Sequence, residues 1–214
     1  MSASVHAASQ TSLMARLRTE TRPHHEAAEQ HPLQRALAMG RLERSVYAAY
    51  LARLGEVHAA LEGALTRGAA LGGPLSRIVD PALFVSEHLA ADLRYYGGAA
   101  LAPDRSPSAQ GFRQSLTSAS PARLLGLWYV LEGSKNGGRF IAKGVRRGYG
   151  LTGQDGVRSL DPHGDDQPAL WANFKSRVDA ESWTEVEVGD ALDGARAMFG
   201  LIMAVGDEAL ASAG

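Results

Sequence analysis

The chain reads as an all-α protein, and three observations carry that reading. Apolar residues recur at steps of three and four through most of its length, helix caps and breakers fall at the ends of those runs, and no period-two alternation lasts more than a few residues. No internal repeat of about 20 to 50 residues is present.

Residues 1–11 are small and polar and are expected to form a flexible N-terminus. Ser12 then caps a helix running to about Gln30, with Met14, Leu17, Thr21 and Ala28 along one side. Pro23 lacks the amide that would bond the carbonyl of Thr19, so a kink is predicted there, or a restart with Pro23 in a first turn. Ser45 caps the next helix, in which Tyr47, Tyr50, Leu51, Leu54, His58, Leu61 and Leu65 recur to about Thr66; Gly68, Gly72 and Gly73 end it. A further helix is expected over Pro81 to Tyr96, carrying Leu83, Phe84, His88 and Leu93, and a Gly-, Pro- and Ser-rich loop over 97–111. Ser120 and Pro121, a cap followed by a first-turn proline, start a long helix that reaches about Tyr149 and is frayed by Gly144, Gly148 and Gly150. Residues 151–168 read as an exposed loop, and helices over 169–179 and 185–212 close the chain. The last of these repeats Val188, Leu192, Ala195, Phe199, Ile202, Val205 and Ala209. With 214 residues and 45% hydrophobic content, residues 12–214 are long enough for one core and too short for two, so a single domain is expected.

Charge and composition remove several functions. The formal net charge is -1 and basic residues are dispersed, so the electrostatic footprint of a nucleic-acid binder is missing. The absence of cysteine removes disulfides, thiolate metal sites and cysteine nucleophiles, while leaving histidine free to hold iron. MSASVHAASQT has no basic or apolar signal region, and no stretch approaches the ~20 apolar residues of a membrane span; a soluble cytoplasmic protein is expected.

Two constellations carry chemistry. The string TRPHHEAAEQH clusters His24, His25 and His31, any one of which is by default a surface or satisfied core histidine. At about 100° per residue, however, Arg18, Arg22, His25 and Glu29 fall within roughly 60° of one another, beside Met14 and Thr21, while His24 and His31 point elsewhere. One imidazole, two guanidinium groups and an apolar edge suit an iron porphyrin, with Glu29 placed to orient the imidazole directly or through water. Neither a pair of Glu-x-x-His motifs nor HExxH is present, which removes di-iron carboxylate and zinc-protease readings. The second constellation is Gly133, Gly137 and Gly138 in LWYVLEGSKNGGRFIAKGV. Each costs a helix interior about 1 kcal/mol relative to alanine, so their clustering implies bare backbone against another body, either a neighbouring helix or a flat ligand.

The pairing of LRTETRPHHEAAEQH with WYVLEGSKNGGRFI, together with YAAYLARLGEVHAALE and AADLRYYG, resembles the heme oxygenases over nearly the whole chain, and most closely the bacterial enzymes that include suppliers of bilin to phytochromes. The resemblance implies an all-helical bundle with heme between a proximal and a distal helix. It implies His25 as axial iron ligand, Glu29 as its hydrogen-bonded contact, and Arg18, Arg22 and Lys175, with Arg177, near the heme propionates. Gly133, Gly137 and Gly138 would be the distal glycines. Ser134 stands where mammalian members carry an aspartate that organises distal water, and Lys135 with Asn136 replaces a small or apolar pair; a serine supplies no carboxylate, so Ser134, Asn136 and backbone-held water become the candidates for proton delivery. The implied reaction opens heme to biliverdin, the α isomer if the propionates are clamped as above, with release of CO and ferrous iron. It uses O2 and electrons from an external reductase or ferredoxin, since the chain has no flavin or nicotinamide fingerprint. A non-catalytic heme carrier or sensor of the same fold is the main alternative. A hydrolase of the similarly folded thiaminase group would need the missing cysteine. Tyr129, on the glycine helix, is expected in the core.

Overall fold

The computed structural model describes residues 11–97 and 106–212, so residues 1–10 of the expected flexible N-terminus and most of the expected 97–111 loop lie outside it. Its described residues form ten α-helices, three short 3-10 turns and no strand: α1 Leu13–Glu20, α2 Arg22–Gln30, α3 Pro32–Ala38, α4 Arg44–Ala70, α5 Pro74–Ile78, α6 Ser86–Tyr95, α7 Pro107–Ser115, α8 Pro121–Tyr149, α9 Gln167–Asp179 and α10 Glu185–Ala211.

Proline accounts for the first break. Thr21 leaves helical geometry, Pro23 sits in the first turn of α2, and the amides of His24 and His25 both bond the Thr21 carbonyl at 3.0 Å. The buried Thr21 hydroxyl closes the joint by donating to the Leu17 carbonyl at 2.6 Å. The restart option is therefore the one adopted. Pro32, Pro74 and Pro107 also start helices from first-turn positions, and α3, α5 and α7 are additions to the sequence-based list. Residues 106–111 thus belong largely to a cap and a helix instead of a loop.

Other boundaries shift for packing reasons. The second long helix begins after Glu43 instead of Ser45 and continues through Gly68 to Ala70, where buried Leu65 and Leu75 support it. The Pro81–Tyr96 run divides into a 3-10 turn at Pro81–Leu83 and α6. Gly144 and Gly148 do not fray α8: a methyl group at either would fall 1.9 Å from the carbonyl oxygen of Ala38 or Gly40, so these glycines let α8 lie directly on α3. The helix ends at Gly150, whose left-handed φ of 69° closes it. Residues 151–168 are not simply exposed either. Val157 is fully buried, and the Asp92 carboxylate on α6 accepts from the amides of Arg158 and Ser159 at 2.9 and 2.7 Å and from the Ser159 hydroxyl at 2.7 Å.

At the centre, α8 crosses α10. Gly126 meets the Ala191 carbonyl and Gly194 meets the Arg123 carbonyl, approaches too close for any side chain. Around this pair, α4 packs on α6, α8 and α10, and α9 packs against α8, α5 and α1. The Met14 amide at the start of α1 donates to Asp179 at the end of α9 (3.1 Å), and Arg16 bridges Glu20 and Glu185, which ties the histidine-bearing segment to both terminal helices.

Candidate functional site

A cavity of about 930 Å3 opens between the α1–α2 segment and the middle of α8, at the upper end of the range for ligand clefts, about 300–1,000 Å3. Arg18, Arg22, His25 and Glu29 all contribute to its wall although they belong to two helices. The His25 side chain is 55% exposed, its Nδ1 lies 3.7 Å from Glu29 Oε2, and its ring meets Phe199 of α10 edge-to-face with centroids 5.9 Å apart. That Glu29 separation is longer than a direct hydrogen bond and suits a bridging water. Phe199 and Glu29 thus restrain the imidazole from two sides while leaving Nε2 unengaged. His24 is half-buried and outside the wall, and buried His31, also outside it, points Nε2 at Asp207 of α10 (3.0 Å).

Across the cavity, the three glycines separate into two kinds. A methyl group at Gly137 would meet nothing within 4 Å, and one at Gly133 would make only ordinary contact with Trp171 at 3.7 Å. Gly138 is buried, and a methyl group there would fall 2.0 Å from the Leu160 carbonyl oxygen. Gly133 and Gly137, one turn apart, therefore leave bare backbone facing the cavity. Gly138 lines the same cavity and in addition seats the 157–160 segment that Asp92 holds.

The polar residues between them are engaged with their own helix. Ser134 Oγ donates to the Leu131 carbonyl at 2.7 Å and Asn136 Nδ2 donates to the Gly133 carbonyl at 3.0 Å. Each still offers its oxygen as an acceptor toward the cavity. Lys135 does not place a free charge on this face: its ammonium, only 4% exposed, donates to Glu132 and to the Leu83 carbonyl, both at 2.6 Å, and Glu132 also accepts from Trp128 at 2.9 Å. Burial raises the Glu132 carboxyl and lowers the Lys135 ammonium, each partly opposed by the other's charge.

Cationic groups ring the mouth. Lys175 lies over Trp171 at 5.7 Å and joins Arg18 and Arg22 on the wall, Arg22 reaching Glu26 at 3.3 Å. Arg177 does not line the cavity; it faces Asp80 at 3.5 Å, because two residues beyond Lys175 it stands about 200° round α9, toward the 3-10 turn. Tyr129 departs from the core expectation: it is half-buried, lines the cavity beside Thr21 and Trp171, and burial pushes its hydroxyl up.

Several wall residues carried no functional signal in the sequence. Phe199 and His58 sit inside periodic apolar runs, and Leu160 lies in a segment without periodicity. Trp171 is the one with a usable hint, four residues before Lys175 on the same helical face. Among the described residues, no cluster of three or more His, Asp and Glu is grouped to hold a bare metal ion, and no helix is long and apolar enough to cross a membrane.

No curated protein matches the chain. Among solved structures, it is similar to the heme oxygenase from Leptospira interrogans, at 25% identity with a TM-score of 0.83, covering 92% of this chain and 100% of that one. It shares its fold with heme oxygenase-1 from the cyanobacterium Synechocystis, solved in complex with heme (21% identity, TM-score 0.82, 92% of each chain). It also shares it with Synechocystis heme oxygenase-2, solved with heme and NO (24% identity, TM-score 0.84, 93% of this chain and 85% of that one). The heme oxygenase family model matches residues 11–208, a span that includes both walls of the cavity and the helices that carry them, and the chain therefore belongs to the heme oxygenase family.

Proposed function

We propose that this protein is a heme-degrading enzyme that opens heme to biliverdin with release of CO and ferrous iron, using O2 and electrons from an external ferredoxin or reductase. The observation that carries the reading is the opposition, across one cavity, of a restrained imidazole at His25 and a stretch of backbone left bare at Gly133 and Gly137. A flat macrocycle fits that slot: His25 Nε2 would ligate the iron, and a Cβ at Gly137 would occupy space the slot leaves open. When bound, heme supplies the redox chemistry and the oxygen site.

The chain's own residues orient and protonate. Arg18, Arg22 and Lys175 are assigned to the propionates, and a clamp of this kind would orient heme so as to favour the α isomer of biliverdin. Tyr129 and Trp171 give the slot a side wall of aromatic rings, and the bare Gly133–Gly137 backbone would let the substrate lie close to α8. Ser134 and Asn136 accept from water and hold it near this backbone. The proposal includes residues 12–214 as one domain, a cytoplasmic location, and delivery of the product to a bilin-accepting phytochrome in a bacterial cell.

A non-catalytic heme carrier has one observation in its favour, the engagement of both Ser134 and Asn136 with helix carbonyls. The deciding experiment is a hemin titration followed by reductant and O2, with products separated by chromatography. Biliverdin from the unmodified protein, and a Soret band that weakens in His25→Ala, are the expected results. A stable complex that never opens identifies a carrier.

A further inference from the structure

The glycine wall lacks a carboxylate, yet the structure sets a different titratable group into the same cavity. We propose that His58 is the residue that positions the water on the α8 side and returns its proton, the task for which Ser134 has no acid; this assignment rests on the heme-degrading reading of the site. His58 lies on α4, its side chain is 12% exposed, and it contributes to the cavity wall beside Val85, Leu89 and Lys135. Its Nδ1 faces Glu62 Oε1 at 3.5 Å. Glu62 is itself fixed, accepting from the amides of Val85 and Ser86 at the start of α6 (2.8 and 3.1 Å), so the imidazole is aimed instead of free to rotate.

The polar groups that α8 brings to this wall are already engaged, whereas the buried Tyr47 hydroxyl of α4 has no partner among the described residues. The Ser134 hydroxyl and Asn136 amide donate to α8 carbonyls, and the Lys135 ammonium is enclosed by Glu132 and Leu83. Burial pushes the Tyr47 and Tyr50 hydroxyls up, so both keep their protons. The groups acting on His58 are Glu62 from its own helix and Lys135 from α8; Lys135 and His88 of α6 both act in turn on His163, in the segment after α8. Burial lowers the His58 imidazole most, Glu62 opposes that, and Lys135 adds to it, so the imidazolium is a stronger acid than free histidine. As the cavity water gives up a proton on its α8 side, the His58 Nε2–H replaces it. The imidazole is left neutral with Nδ1–H toward Glu62, and it regains its proton from solvent.

The test uses the full chain as wild type, His58→Gln and Glu62→Gln. Hemin titration comes first, and affinity within about twofold across all three shows that the variants fold and load. Histidine NMR of the protein loaded with gallium protoporphyrin should show a resonance, missing in His58→Gln, that titrates below 6.5 and moves on loading. Single-turnover heme loss with ascorbate and O2 should fall about 100-fold in His58→Gln and lose the decline in rate that the wild type shows as pH rises through the His58 titration. In Glu62→Gln the same decline should move to lower pH. A His58→Gln protein with wild-type rate and pH profile, or a His58 resonance unmoved by loading, overturns the assignment while leaving the heme reading intact. Failure of the unmodified protein to bind hemin overturns the heme reading and the assignment together.

Discussion

Adjacent glycines on one helix have opposite roles here, and single substitutions separate them. Gly137→Ala adds a methyl group to open cavity and replaces a poor helix former, so the ligand-free protein should gain up to about 1 kcal/mol, roughly 2–4 °C in Tm, while hemin binding or turnover drops. Gly138→Ala forces a methyl group against the Leu160 carbonyl and should lose about 1–3 kcal/mol. Thermal melts of the two ligand-free variants check both signs. His58 gives a second residue-level prediction, in pH. Its folded-state pKa is pushed below the ordinary 6.5, so between the two values the unfolded chain binds the extra proton and stability falls as pH drops through 6.5. His58→Gln should flatten that limb in denaturant titrations between pH 7 and 5.

At the scale of elements, the faces of α8 divide the labour. Trp128, Glu132 and Lys135 turn one face toward α4 and the Pro81–Leu83 turn, while Gly133 and Gly137 turn another to the cavity. Lys135→Met alone leaves the Glu132 carboxylate buried without its partner and should cost about 3–5 kcal/mol; the double variant Lys135→Met with Glu132→Gln should recover most of that, as a double-mutant cycle by urea unfolding would show. The sequence read Lys135 as an unusual occupant of the distal stretch. Its burial was hidden because its partner carbonyl, Leu83, lies 52 residues away in the chain. By contrast the α1–α2 break was legible, since a proline acts on its own helix four residues back.

At the scale of the whole molecule, the cavity roof is held from a distance. Asp92 on α6 fixes the 157–160 segment, which rests on Gly138 of α8, so Asp92→Ala should speed amide exchange at Arg158 and Ser159 and weaken hemin binding without touching the cavity itself. Unchanged exchange at those two amides would contradict this account of the roof. The sequence by itself determined what depends on spacing along one helix: the all-helical class, the shared face of Arg22, His25 and Glu29 on α2, which Arg18 joins from α1 across the Thr21 joint, and the cost that marked the glycine cluster. It did so because side chains three and four residues apart meet whatever the rest of the chain does. Only the tertiary structure decided which glycines stay bare and which are covered, that Tyr129 faces the cavity and Arg177 does not, and that His58 reaches the cavity from α4. Those outcomes depend on groups brought together from distant parts of the chain, and the packing of α8 on its neighbours places them.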